Sequence, residues 1–246
     1  MRLAGKAAIV TGGGSGIGKA IAAACVREGA QVAICGRDAR KLEQAASEIG
    51  PQCLAIAADV SHADDTNKLV EQAVQQFKRL DILVNNAGVL LAGTAESLTV
   101  EQWDQTFNTN VRAVWQLSRA ALPHMRKIGK GSIINIASVL SSLGARNRVA
   151  YSASKGAVLA LSRAMALDHA EENIRINCIC PGIVETEMVA AFNLDEKARQ
   201  QRIAAHPMGR FGQPSDMAGL AVFLASDESS WITGSAFTAD GGYSAH

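Results

Sequence analysis

Aromatic side chains are scarce in this sequence: two tyrosines, three tryptophans and six phenylalanines amount to 4% of 246 residues. That scarcity argues against a sandwich whose core is built on large rings. The 48% hydrophobic content, rich in Ala, Val, Ile and Leu, instead suits close packing of helices on a sheet. An excess of one charge is also missing. Twenty-four basic side chains stand against 23 acidic ones, a net charge of +1. This excludes both the self-repulsion of a disordered chain and the basic field that nucleic acid requires. No apolar run approaches the roughly 18 residues that span a bilayer. The stretch Ala7 to Val10 after Arg2 is too short for the apolar segment of a signal peptide. The expectation is a compact cytoplasmic protein with neither a membrane nor a nucleic acid as partner.

Cysteine and proline are sparse, with five of each. Cys25, Cys35, Cys53, Cys178 and Cys180 are odd in number and sit inside apolar segments, which reads as buried, reduced thiols. Cys178 and Cys180 share one face of a strand, but no histidine or further thiol lies close enough in sequence to complete a zinc site, so no metal is expected. The prolines at 51, 123, 181, 207 and 214 are expected at element borders, where proline neither breaks a helix nor removes a ladder bond.

What the chain does have is alternation. Short apolar runs at 6–10, 31–35, 54–57, 82–85, 132–136 and 174–180 read as buried strands, and segments of helical period lie near 16–27, 41–49, 64–79, 100–122, 149–170 and 214–225. Strand and helix in repeated alternation imply an α/β fold, a parallel sheet covered on both faces. α/β folds reach about 250 residues as one domain, and no boundary interrupts residues 1–246. The stretch 182–212 lacks a clear strand and reads as a lid or insertion within that domain.

The first strand leads into Thr11-Gly12-Gly13-Gly14-Ser15-Gly16-Ile17-Gly18. Glycines at a strand-to-helix turn permit positive φ and close approach of backbone to a pyrophosphate, and the helix N-terminus that follows offers unpaired N–H groups. The offsets differ from G-x-G-x-x-G, so a plain dinucleotide-fingerprint search would pass this turn by. Further along come Asp59-Val60 after the third strand, Asn85-Asn86-Ala87-Gly88 after the fourth, Ser138 after the fifth, and Tyr151-Ser152-Ala153-Ser154-Lys155 opening a helix. Residues 151 and 155 are one helical turn apart and share a face. A phenol of pKa about 10 serves as a base near neutrality only where positive charge favours its phenolate, and Lys155 is expected to supply that charge.

In order and spacing these motifs resemble the short-chain dehydrogenase/reductase family, over nearly the whole chain. The match includes Pro181-Gly182 with Thr186, the run Gly209 to Pro214, and Asp240-Gly241-Gly242. The resemblance implies a single Rossmann-like, doubly wound domain with a seven-stranded parallel sheet ordered 3-2-1-4-5-6-7 and the ligand at its carboxyl edge. It implies Tyr151 as the proton donor and acceptor, Lys155 on the tyrosine and the nicotinamide ribose, and Ser138 on the substrate oxygen. Asn110, in Asn108-Thr109-Asn110-Val111, would hold a water in the proton relay. Thr11, Gly12, Gly14, Ser15, Gly16, Ile17, Gly18, Arg37, Asp59, Val60, Asn86, Ala87, Gly88, Pro181, Gly182 and Thr186 would join Tyr151 and Lys155 in binding the cofactor. At the end of the second strand Gly36 stands where an NAD-binding unit has an acid, and Arg37 follows, so NADP(H) is expected over NAD(H). Asp38 is the competing reading, because a shift in the turn would aim it at the ribose.

The expected activity is therefore interconversion of a secondary alcohol and a ketone. A 3-oxoacyl-carrier-protein reductase is the alternative, since that branch is the nearest in look. A non-catalytic nucleotide sensor is disfavoured by the presence of both Tyr151 and Lys155. The helix end Asp168 to Asn173 is acidic, which counts against docking an acidic carrier protein unless Arg126, Lys127 and Lys130 offset it. Trp103, Trp115 and Trp231 read as core or interface anchors. The helices at 100–122 and 149–170 are apolar on more than one face, and the resemblance implies that they pack across a two-fold axis in a homotetramer.

Overall fold

The computed structural model describes residues 1–193 and 195–245. Seven strands, β1 (Ala7–Thr11), β2 (Gln31–Gly36), β3 (Cys53–Ala57), β4 (Ile82–Asn85), β5 (Gly131–Ile136), β6 (Ile174–Pro181) and β7 (Ala236–Ala239), form one parallel sheet in the order 3-2-1-4-5-6-7. The six apolar runs are the first six strands. β1, β4 and β5 are buried at every position, as parallel strands covered on both faces must be. β7 has only four residues, none of them fully buried, too few and too exposed to stand out as an apolar run.

Helices α1 (Gly16–Arg27), α2 (Ala39–Ile49) and α9 (Pro214–Ala225) cover one face, where Ile21, Leu42 and Val222 pack on Val10, Ile34 and Ile134. Helices α3 (Ala63–Phe77), α5 (Ala113–Ile128) and α6 (Val149–Asp168) cover the other, where Leu69, Leu117 and Met165 meet Ile9, Leu83 and Ile133. The fold class expected from the alternation is the one observed. No described helix is long and apolar enough to cross a membrane.

Three local expectations are corrected. The segment 100–122 is not one helix: α4 (Val100–Phe107) passes through a π turn, Asn108–Arg112, into α5. Pro123 lies inside α5 rather than at a border. Pro123 and Arg119, four residues earlier, are both exposed, so the carbonyl left without an N–H partner is on the solvent side of the helix. The tryptophans are not core residues: Trp103, Trp115 and Trp231 are 38%, 45% and 99% exposed. The stretch 182–212 holds two helices, α7 (Glu187–Ala190) and α8 (Glu196–Ala204), and its ends are tied where Gly212 donates to Ile183 and Glu185 donates to Gly212, both at 2.9 Å.

Candidate active site

The strand order reverses between β1 and β4, and there the turns after the two strands separate to open a cleft. The cleft holds about 780 Å³. Gly12, Ser15, Gly16, Ile17 and Arg37 line one end, Asn86, Ala87 and Gly88 the middle, and Ser138, Tyr151 and Lys155 the other end, under Pro181, Gly182 and Thr186. Sequence reasoning on separate motifs is thus brought to one place. Thr11, Gly14 and Gly18 build the turn beneath the lining, whereas Asp59 and Val60 stand beyond it at the end of β3. The Asp59 carboxylate accepts the Ser61 amide at 2.9 Å and the Ser61 hydroxyl at 2.7 Å.

The glycine turn fits tightly. Gly12 has φ of +63°, and a Cβ there would lie 2.9 Å from the Asn86 side-chain nitrogen; a Cβ on Gly18 would come within 2.3 Å of the Gly12 oxygen. The Thr11 hydroxyl accepts the backbone N–H of both Asn86 and Ala87 at 2.9 Å, and Asn86 Nδ2 donates back to the Thr11 and Gly12 carbonyls at 2.9 and 3.2 Å. One threonine hydroxyl thereby locks the turns after β1 and β4 together. At the N-terminus of α1, the Ser15 side chain makes no capping bond and the first turn carries no acid. Its N–H groups and partial positive charge therefore face the cleft without an internal anion, which fits the pyrophosphate of a dinucleotide.

At the end of the cleft near Tyr151, Lys155 is 5% exposed and donates from Nζ to the Ile136 carbonyl at 2.7 Å. Burial pulls its pKa down from 10.5 to about 8. Tyr151, one turn earlier and half-buried, is pushed above its ordinary value by burial, while the Ser138 hydroxyl and the Arg148 guanidinium pull the other way. The expectation that Lys155 supplies the charge acting on Tyr151 is refined here. Its ammonium lies 5.7 Å from the phenol ring centroid and is bonded to a carbonyl, while Arg148, which sequence reasoning missed, is a cation felt by the phenol. Arg148 sits three residues before Tyr151, a helical neighbour spacing that was available as a signal. Gly88 faces both Asn110 and Lys155: a Cβ there would lie 3.3 Å from Asn110 Oδ1 and 3.6 Å from Lys155 Nζ, filling the space above the lysine.

Asn110 is carried by the π turn. Its Oδ1 accepts the Val89 N–H at 2.8 Å, and its Nδ2 donates to the Val89 carbonyl at 2.9 Å and the Ser154 hydroxyl at 3.0 Å. The side-chain amide is engaged in fastening the turn after β4 to α6. Ser138 Oγ accepts the Leu140 N–H at 3.1 Å, which orients the hydroxyl at the cleft wall.

A second cavity of about 570 Å³ lies at the opposite edge of the sheet. Its Lys6 and Lys130 both pair with Asp227, at 2.8 and 3.2 Å, and Asp81 pairs with Arg79 at 2.6 Å. Its Arg175 guanidinium donates to the Leu224 and Ser226 carbonyls at 2.8 and 3.1 Å. The acidic helix end expected near the site is also at this edge, because α6 runs back to the start of β6; Glu172 there is held by Arg126 at 2.9 Å. That acidity has no bearing on what enters the cleft.

A doubly wound sheet with a dinucleotide cradle and a Tyr-Lys pair at its carboxyl edge defines a nicotinamide-dependent oxidoreductase acting on CH–OH groups. A family model described as enoyl-(acyl carrier protein) reductase matches residues 12–244. A 3-oxoacyl-(acyl-carrier-protein) reductase of Thermotoga maritima is 37% identical over 98% of this chain and 99% of its own. An NADP-dependent (R)-specific alcohol dehydrogenase of Lentilactobacillus kefiri is 40% identical over 99% of this chain and 98% of its own. The crystal structure of a 3-ketoacyl-(acyl-carrier-protein) reductase from Brucella melitensis complexed with NADH superposes with a TM-score of 0.94 at 38% identity, over 98% of this chain and 99% of that one. The chain belongs to the short-chain dehydrogenase/reductase family.

Proposed function

We propose that the protein interconverts a secondary alcohol and a ketone with Tyr151 as proton donor and acceptor, and that NADP(H) is its preferred cofactor, with NAD(H) also accepted. One observation carries this reading. Tyr151 and Lys155 stand one turn apart on α6, both lining the same cleft as the glycine turn. When bound, the nicotinamide gives or takes the hydride, and the protein's own groups handle the proton. In reduction, Ser138 Oγ donates to the carbonyl oxygen and holds it toward the phenol, and Tyr151 gives its proton to the forming alkoxide. Burial raises the phenol above its usual pKa, so Tyr151 carries its proton before the reaction. Lys155 has a second role in holding the cofactor ribose, and Asn110 keeps the turn after β4 in register with α6. Arg37, exposed at the cradle, pairs with a 2′-phosphate. The Lentilactobacillus relative's NADP dependence supports that choice.

The whole of residues 1–246 is read as one domain, with 182–212 as its lid, and the five free cysteines suit the reducing cytoplasm. A homotetramer is supported by apolar surface that a lone chain would leave wet. Trp115 of α5, Val149 and Leu167 of α6, and Trp231 just before edge strand β7 are 45%, 41%, 81% and 99% exposed. Reduction of a 3-oxoacyl group on a carrier protein is the second reading, favoured by the Thermotoga relative and by the arginines around the cleft. Tyr151→Phe tests the chemistry: turnover of an accepted ketone is expected to fall by about 10²- to 10⁴-fold with cofactor affinity nearly unchanged. Retention of more than about a tenth of the activity would remove Tyr151 from its role.

A further inference from the structure

Lys41, Arg199 and Arg210, which stand outside the cleft lining, pair with Glu187, Glu185 and Asp216. Of the cations that line the cleft, Arg37 and Arg146 are exposed and Lys155 donates to the Ile136 carbonyl. Arg148 and Arg202 differ. Both line the cleft beside Tyr151, both are partly buried, and neither has a carboxylate partner among the described residues.

We propose that this pair of guanidinium groups is an anion subsite, so that the substrate is a ketone or secondary alcohol bearing a carboxylate or sulfonate a few carbons from the reacting centre. The proposal rests on the oxidoreductase reading and names the substrate class for that site. Its geometry comes from two elements. Arg148 is the residue immediately before α6, three before Tyr151, and both line the same part of the cleft. Arg202 comes from α8 on the other side of the cleft. The Arg148 guanidinium lies 4.8 Å from the Phe192 ring centroid and donates from Nη1 to the Asn147 carbonyl at 2.8 Å, which leaves its other edge donors for a ligand.

The energetics point the same way. Taking a cation partly out of water is unfavourable unless an opposite charge compensates, and a second cation beside it adds to the cost. Burial and then the charge of Arg202 hold Arg148 below its ordinary pKa. A bound anion relieves both effects at once, and the fork of a guanidinium matches the planar oxygens of a carboxylate. An acidic carrier protein is the less favoured source of that charge. Arg148 lines the cleft, half-buried and packed on Phe192, within reach of a substrate's own group rather than of a protein surface.

The test compares three ketones of matched length, 4-oxopentanoate, 3-oxobutane-1-sulfonate and the neutral 4-oxopentanamide, with the enzyme saturated in NADPH. Both kcat/KM and binding, followed by the fluorescence of bound NADPH, are measured. At least one anion is expected to exceed the amide by about 10-fold or more, through KM and affinity, as a charge-assisted pair requires. Arg148→Met is expected to bring the anion-to-amide ratio to near one, with Arg202→Met lowering it in part and Arg148→Lys keeping part of it. Taking a ratio cancels any effect of Arg148 on Tyr151. Should the wild-type enzyme reduce or bind the amide as well as either anion, or bind none of the three, the anion subsite is overturned, whatever the variants do. Preference for a carrier-bound acyl group with no discrimination among the three would overturn it equally. Arg148-dependent anion binding without any turnover would keep the subsite and count against the redox reading instead.

Discussion

The Asp38 carboxylate accepts the Lys41 backbone N–H at 3.1 Å and so caps the N-terminus of α2. Capping engages this acid in the helix, and Arg37 is left as the charged residue of this turn that lines the cleft. The competing reading, in which Asp38 receives the ribose hydroxyls, is thereby disfavoured. Gly36 has open room: a Cβ there would meet Leu42 at 3.6 Å or beyond, an ordinary contact. Gly36→Asp is therefore expected to fold and to shift the preference from NADPH toward NADH by about 1 to 3 kcal/mol, through repulsion of the 2′-phosphate and a new hydroxyl acceptor. The ratio of kcat/KM for the two cofactors on one ketone measures it. A wild-type enzyme already favouring NADH would show that Arg37 does not govern the pocket.

Lys155 makes stability depend on pH in a definite direction. Its pKa falls from 10.5 unfolded to about 8 folded. Between those values the unfolded chain binds more protons, so stability rises as pH increases from about 8 toward 10. Below pH 8 the full penalty of a buried ammonium is present. Lys155→Met removes the effect, and the gain in unfolding free energy between pH 7.5 and 10, from denaturant titration without cofactor, is expected to be about 2 kcal/mol smaller in the variant. Equal pH dependence in the two proteins would mean that the lysine keeps its ordinary pKa when folded.

Asn135 is fully buried at the centre of a polar chain. It accepts from Asn85 Nδ2 at 2.8 Å and donates to Ser162 Oγ at 2.7 Å, which in turn donates to the Val158 carbonyl at 2.7 Å. Asn135→Ala strands a buried donor on Asn85 and leaves a gap between β5 and α6. A loss of about 3 kcal/mol in unfolding free energy is expected, against less than about 0.5 kcal/mol for the exposed Gln105→Ala. A loss under about 1 kcal/mol for Asn135→Ala would show that the network does not stabilise the sheet.

The exposed tryptophans and Leu167 lead to an expectation about assembly. Light scattering at micromolar concentration should give about four times the 25.8 kDa chain mass, and Leu167→Glu, placing a charge in the proposed contact, should lower it. A monomeric mass for the unaltered protein would refute the tetramer.

The sequence by itself determined whatever depends on neighbours along the chain. A strand buried on both faces must be apolar throughout, which made six strands legible. A turn with positive φ and close backbone contacts requires glycine, which placed Gly12 and Gly18 at the cradle. A four-residue spacing on a helix puts two side chains on one face, which paired Tyr151 with Lys155. Only tertiary structure decided the rest, because it depends on partners that the chain separates. Whether Pro123 interrupts α5 depends on where solvent lies, and Asn110 reaches Val89 and Ser154 through a π turn with no period of its own. The same holds for charge. Glu185, Glu187 and Asp216 neutralise Arg199, Lys41 and Arg210, while Arg148 and Arg202 line the cleft with no carboxylate partner among the described residues, and a near-equal count of acids and bases carries no information about which of them meet. Charge interactions in salt are screened beyond about 10 Å, so the partners of each charge are those that packing brings close.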